Sequence, residues 1–201
     1  MPQPRPTRTD QPRIIPLTVW PTTTPEIPGA LPADAAARAI ATFSHTSDLV
    51  IGIDDSGILI GAADYLQRRY HALHRTQRSA ATPILPHCRE RNAGLIIDHP
   101  PVTTPDTLLS DLSGLVGILR PGGYLLTVHT PIGGEHDPLA DTITAARAAG
   151  LRYLQHIIIL TSPIQGDEIH PPAENPIRIG LVEPVHTDLA VFARPGGGAR
   201  G

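Results

Sequence analysis

The chain has 201 residues and a formal net charge of −3, with 40% hydrophobic residues but only 3% aromatic ones. That supplies the core of one domain, built from Leu, Ile, Val and Ala, and excludes wholesale disorder. All 16 basic residues are Arg, which excludes a Schiff-base or phosphate-loop lysine, and the single Cys88 excludes an internal disulfide or a cysteine-cluster zinc site.

Residues 1–32 hold nine of the 23 prolines and read as an extended arm, which Trp20 either pins to the domain or decorates as an exposed aromatic. The N-terminus has no signal-peptide apolar region, and no apolar run approaches the roughly 20 residues of a membrane helix. Together with the lone cysteine, this predicts a cytoplasmic protein with no membrane contact. Residues 33–194 alternate helix and strand. Helices are predicted over Ala33–Phe43, Gly57–Tyr70, Pro105–Leu119 and Pro138–Ala149, the last stopped by Gly150. Short apolar runs predict buried strands at Leu49–Ile53, Leu95–Ile97, Tyr124–His129, Tyr153–Leu160 and Leu189–Phe192. Continuous apolar strands alternating with helices mean an α/β fold, a parallel sheet covered on both faces. Residues 195–201, rich in glycine, read as a disordered tail.

Ligands of such sheets sit at the carboxyl ends of the strands. At Ile53-Asp-Asp-Ser-Gly57 small residues let backbone amides approach a ligand, and the helix N-terminus favours an anion. An ordinary turn with Ser56 as a helix cap explains the same residues equally well. Arg68, Arg69, Arg75, Arg78, Arg89 and Arg91 lie within 24 residues, a pattern that grips phosphates or simply solvates a loop. The ten histidines show no metal-ligand spacing, so no metal is predicted.

Two further strand ends, Ala93-Gly-Leu-Ile-Ile-Asp-His-Pro-Pro101 and Gly117-Ile-Leu-Arg-Pro-Gly-Gly-Tyr-Leu-Leu126, carry a family resemblance together with the order of elements. From about Trp20 to Pro195 the chain resembles class I S-adenosylmethionine-dependent methyltransferases, whose sheet is Rossmann-like. Among these it is most similar to compact DNA-methylase-like proteins of actinobacteria, relatives of the tRNA guanine-N2 methyltransferases. The resemblance implies a seven-stranded sheet, mostly parallel, whose last strand is antiparallel. It implies S-adenosylmethionine at Asp54, Asp55, Ser56 and Gly57, with His74 at the ribose, and a target amine at Asp98, His99, Pro100 and Pro101. DNA or RNA would be the partner, held through Arg68, Arg69, Arg75 and Arg78, and a protein partner is a further expectation.

The family pattern is altered at its ligand-touching positions. Gly52 stands where the first strand carries an acid, and Ser56 and Ile58 stand in two glycine slots. The branched Ile58 is expected to crowd the cofactor path. His74 cannot imitate the bidentate carboxylate that holds the ribose. Val102 replaces the aromatic that stacks on an extruded base, a contact worth about 1–3 kcal/mol. The resemblance implies an enzyme that methylates a nucleic-acid base amine; the substitutions imply the alternative, a catalytically inactive binding or regulatory protein.

Overall fold

The computed structural model describes residues 16–22, 31–54, 57–74, 92–131, 137–162, 164–165, 168–169 and 185–196. Nine strands and four helices follow one another along these residues. Strand β1 (Leu17–Trp20) and helix α1 (Ala33–Phe43) lead into β2 (Leu49–Ile53), α2 (Ile58–Tyr65) and β3 (Arg69–Leu73). Then come β4 (Ala93–Asp98), α3 (Pro105–Ile118), β5 (Leu119–His129), α4 (Pro138–Ala148) and β6 (Arg152–Leu160). The short β7 (Ile164–Gln165) and β8 (Glu168–Ile169) pair with each other before the final β9 (His186–Ala193).

Seven strands form one sheet in the order β1-β6-β9-β5-β4-β2-β3. All neighbours run parallel except β9, which lies antiparallel between β5 and β6. The expected α/β sheet with its antiparallel last strand is therefore present. Its seventh strand comes from the proline-rich arm: Leu17–Trp20 pairs with β6 at the sheet's edge, where Pro16 costs no ladder bond. Trp20 is 4% exposed and does pin the arm, under the guanidinium of Arg38 4.6 Å away.

The helix expected over Gly57–Tyr70 stops early. It ends at Tyr65, Gln67 takes a left-handed φ of 57°, and the chain re-enters the sheet as β3. Helical periodicity cannot report that Arg69–Leu73 gains parallel partners along the whole of β2. Helix α3 is closer to expectation, with Pro105 in its first turn and the Thr104 side chain accepting from the Thr107 amide.

Two apolar clusters sandwich the sheet. Ala36, Ile40 and Leu59 of α1 and α2 pack on Val50, Leu95, Ile97 and Val191. Leu108, Leu112, Leu115 and Ala146 of α3 and α4 pack on Ile51, Ile96, Leu125 and Phe192 from the opposite face. No helix among the described residues is long and apolar enough to cross a membrane.

The amino ends of β2, β4 and β5 are tied together by one carboxylate. Asp48 accepts from the His45 amide at 2.8 Å and from the Arg120 guanidinium at 3.0 Å. Burial alone would raise the Asp48 carboxyl, but these two donors outweigh it and hold it below the ordinary carboxylate value. The carboxyl group lies over Gly94, so a Cβ on residue 94 would meet the Asp48 Cγ at 2.5 Å. Gly94→Ala should therefore cost about 1–3 kcal/mol in urea unfolding, by displacing Asp48 from Arg120. In an Asp48→Ala background the same substitution should cost much less; equal costs in both backgrounds would contradict this contact.

Candidate active site at the carboxyl edge

Because six of the seven strands are parallel, the ends of β2, β3, β4 and β5 meet at one edge. Strand β2 ends at the buried Ile53 and is followed by Asp54, whose φ of 50° is rare for a residue with a side chain. Its amide donates to the Leu73 carbonyl at 2.8 Å, which draws the ends of β2 and β3 together. The Asp54 carboxylate then lies 3.7 Å from Nδ1 of His74. Gly57 opens α2 with a φ of 95°, and a Cβ there would meet nothing within 4 Å among the described residues. Ile58, expected to crowd this turn, packs instead against the α1–α2 core cluster. Asp55 and Ser56 lie outside the described residues.

At the end of β4, Asp98 is 1% exposed and stands in register with Thr127 of β5. His99 and Pro100 are half-buried, while Pro101 and Val102 are exposed. The chain's one Trp, four Tyr and two Phe all lie elsewhere. Phe43 packs on Tyr124 and Tyr153 on Phe192 toward the amino edge, Trp20 and Tyr70 join the α1–α2 core, and Tyr65 projects into solvent from α2. No aromatic ring replaces the one missing after Pro100-Pro101.

A group that sequence reasoning missed adjoins this position. His129, the last residue of β5, stands opposite Asp188 of β9, and its Nε2 is 2.9 Å from the Thr127 hydroxyl. Oδ1 of Asp188 is 2.9 Å from Nε2 of His156 and 3.7 Å from Nε2 of His186. Three imidazoles from three strands thus surround one carboxylate. The only sequence signal was the spacing of His186 and Asp188, two apart and so on one face of a strand; their partners follow from the antiparallel register of β9. Among the described residues, no three His, Cys, Asp or Glu side chains are arranged to hold a metal ion.

Burial pushes the His129 imidazole down to about 4, outweighing the attraction of Asp188 and Asp137, with His99 and His156 lowering it slightly further. Its folded value lies below the unfolded one of about 6.5, so the unfolded chain binds the extra proton between those values. The stability that His129 contributes is complete above about pH 6.5 and is lost as pH falls toward 4, on the order of 3 kcal/mol in all. Urea unfolding at a series of pH values should show this slope, and His129→Gln should flatten it; an unchanged slope would contradict a buried neutral imidazole.

The described arginines lie away from this edge. Arg68 donates to Ser44, Thr46 and the Leu66 carbonyl, and Arg69 to the Ser47 carbonyl, all at the amino edge. Arg120 and Arg194 are engaged there too, the latter with the Val116 and Leu119 carbonyls. Arg147, at the end of α4, and Arg152, at the start of β6, share that edge. Of the arginines assigned to nucleic acid, Arg68 and Arg69 therefore stand across the sheet from His99, and Arg75 and Arg78 lie outside the described residues.

No family model and no curated protein sequence matches the chain. Solved structures do match its fold. The 1,6-didemethyltoxoflavin-N1-methyltransferase of Burkholderia thailandensis aligns with a TM-score of 0.51 at 12% identity, over 81% of this chain and 78% of that one. The CcbJ methyltransferase of Streptomyces caelestis aligns with a TM-score of 0.51 at 12% identity, over 82% and 91%. A SAM-dependent methyltransferase of Archaeoglobus fulgidus gives 0.50 at 9% identity, over 81% and 94%. The chain has the class I methyltransferase fold. At these identities the likeness concerns the fold alone. Within it, Asp54, Gly57, His74, Asp98 and His99 share the carboxyl edge.

Proposed function

We propose that the protein is a cytoplasmic S-adenosylmethionine-dependent methyltransferase. Its cofactor would lie across the ends of β2 and β3, and its acceptor amine at the end of β4. The observation that supports this most is the pairing of Asp54 with His74. The carboxylate missing from the end of β3 is supplied one strand away, 3.7 Å from the imidazole that occupies that position. The residues present fit the cofactor: a carboxylate to accept from the ribose hydroxyls, an imidazole beside it, and a left-handed Gly57 turn. When bound, S-adenosylmethionine supplies an electrophilic methyl group on a sulfonium.

The chain's own residues would prepare the nucleophile. His99, as neutral imidazole, accepts a hydrogen bond from the acceptor N–H and keeps the nitrogen lone pair directed at the methyl group. Asp98 adds negative charge where the nitrogen becomes positive. Pro100 and Pro101 stiffen the segment that carries His99. Asp55 and Ser56 complete the cofactor turn in this reading.

The finer reading, methylation of a DNA or RNA base amine as in DNA-methylase-like proteins and tRNA guanine-N2 methyltransferases, is supported by the Asp98–Pro101 segment. The arginines of the described residues lend it no support at this edge. An inactive binding protein is the outcome if the cofactor does not bind.

Calorimetric titration with S-adenosylmethionine should give micromolar binding to the wild type. Asp54→Asn should weaken it at least tenfold, the worth of a hydrogen bond to a charged group. His99→Ala should leave the affinity unchanged while cutting methyl transfer by about 100-fold or more. No heat at millimolar ligand would overturn the enzyme reading and leave the inactive one.

A further inference from the structure

Strand β1 closes the sheet beyond β6, and no described residue pairs with its outer side. The Pro16 carbonyl accepts from the His156 amide at 3.0 Å, so Pro16 directs its backbone toward β6. In a parallel ladder every second residue does so, and within β1 these are Thr18 and Trp20. The amides and carbonyls of Leu17 and Val19 therefore point away from the sheet. Their side chains, 61% and 50% exposed, stand on the α3–α4 face, because Trp20 packs with Ile157 and Ile159 in the α1–α2 cluster. Leu17 and Val19 belong to neither core cluster, and neither does Ile158 beside Val19. The same two residues thus offer open ladder groups and bare apolar side chains, the combination that lets one sheet edge pair with another.

This edge is complementary to itself. Leu17 and Val19 flank Thr18, so a two-fold axis beside Thr18 sets Leu17 opposite Val19 of a second copy, and Val19 opposite its Leu17. Each pair then exchanges both of its N–H···O=C bonds, while the Thr18 residues face each other without one. Pro21, next in the outward series, has no amide to give, which disfavours the register centred on Val19. Residues 16–22 carry no charged side chain in a chain that is 17% charged. A two-fold brings like against like, so this neutrality removes the repulsion a charged edge would feel. From this geometry we infer that β1 is a dimerisation edge, which joins a second copy of the chain antiparallel into one continuous sheet. The axis stands perpendicular to the sheet, so the α3–α4 faces of both copies lie on one side and the carboxyl edges point in opposite directions. Leu17 and Val19 of both copies then form one apolar row and lose their exposure. The inference stands apart from the methyl-transfer reading, whose site lies at the ends of β2 to β5 and is separated from β1 by β6 and β9.

Sedimentation of the full chain should show a dimer at about 500 μM and a monomer at about 5 μM, as suits a small interface. Amide hydrogen exchange locates the contact. Leu17 and Val19 should exchange at least tenfold faster at the lower concentration, while Thr18 and Trp20, bonded to β6, stay protected at both. Val19→Pro deletes an outward amide and spares the β1–β6 bonds, so it should weaken dimerisation at least tenfold. Should that variant fail to fold, Val19→Lys keeps the strand, and its charge on the edge should weaken dimerisation as much. Fluorescence of the buried Trp20 reports in each variant that β1 stays docked. A monomer at both concentrations would overturn the inference. So would Leu17 and Val19 amides protected equally at both, the mark of a cover from within the same chain. A dimer that a folded variant leaves undiminished sinks it as well.

Discussion

The arrangement of the carboxyl edge depends on a knot at the opposite one. Asp48 is anchored by the His45 amide and by Arg120, and it occupies the volume that any side chain at Gly94 would need. Those residues belong to the starts of β2, β4 and β5, so one carboxylate joins three strands where they enter the sheet. The pairing of β4 with both neighbours shifts at this knot, around Gly94, and from Leu95 onward runs without interruption to the exit. Gly52 then stands beside Ile97 and Asp98 beside Thr127, which brings the Asp54 turn, Asp98 and His129 to a common level. The short carboxylate and the missing side chain are complementary, and either alone would leave a void or a clash.

Charge follows the same division. Arginines serve the amino edge as structural donors: Arg68 closes the end of α1 at Ser44, and Arg194 satisfies carbonyls at the end of α3. Helix C-termini expose such carbonyls, and a guanidinium suits their geometry and their partial negative charge. Among the described residues the carboxyl edge carries Asp54, Asp98 and Asp188 beside His74, His99, His129 and His186.

Much of the fold was legible because its strands are buried on both faces. Val50, Ile51 and Ile53, or Leu95, Ile96 and Ile97, have apolar neighbours above and below, and no alternating pattern competes with that signal. The end of α2 was not legible, since Arg69–Leu73 mixes charged, aromatic and apolar residues and becomes a strand only by pairing with β2. Nor could the arm be seen to supply an edge strand, because proline density hides the four residues Leu17–Trp20 between Pro16 and Pro21. At the site, motif comparison brought Asp54, Gly57, His74, Asp98 and His99 to one edge. It missed Asp188 with its three histidines, which sit far apart along the chain and meet only through the antiparallel insertion of β9 between β5 and β6.

The central claim is that the carboxyl edge of this sheet receives a methyl donor. Amide chemical-shift mapping during titration with S-adenosylhomocysteine, the unreactive product, tests it most directly. Shifts concentrated at Ile53, Asp54, Gly57, His74 and Asp98, with Asp48, Gly94 and Arg120 undisturbed, are the result the account predicts. Shifts centred on the amino edge, or none at millimolar ligand, would contradict it.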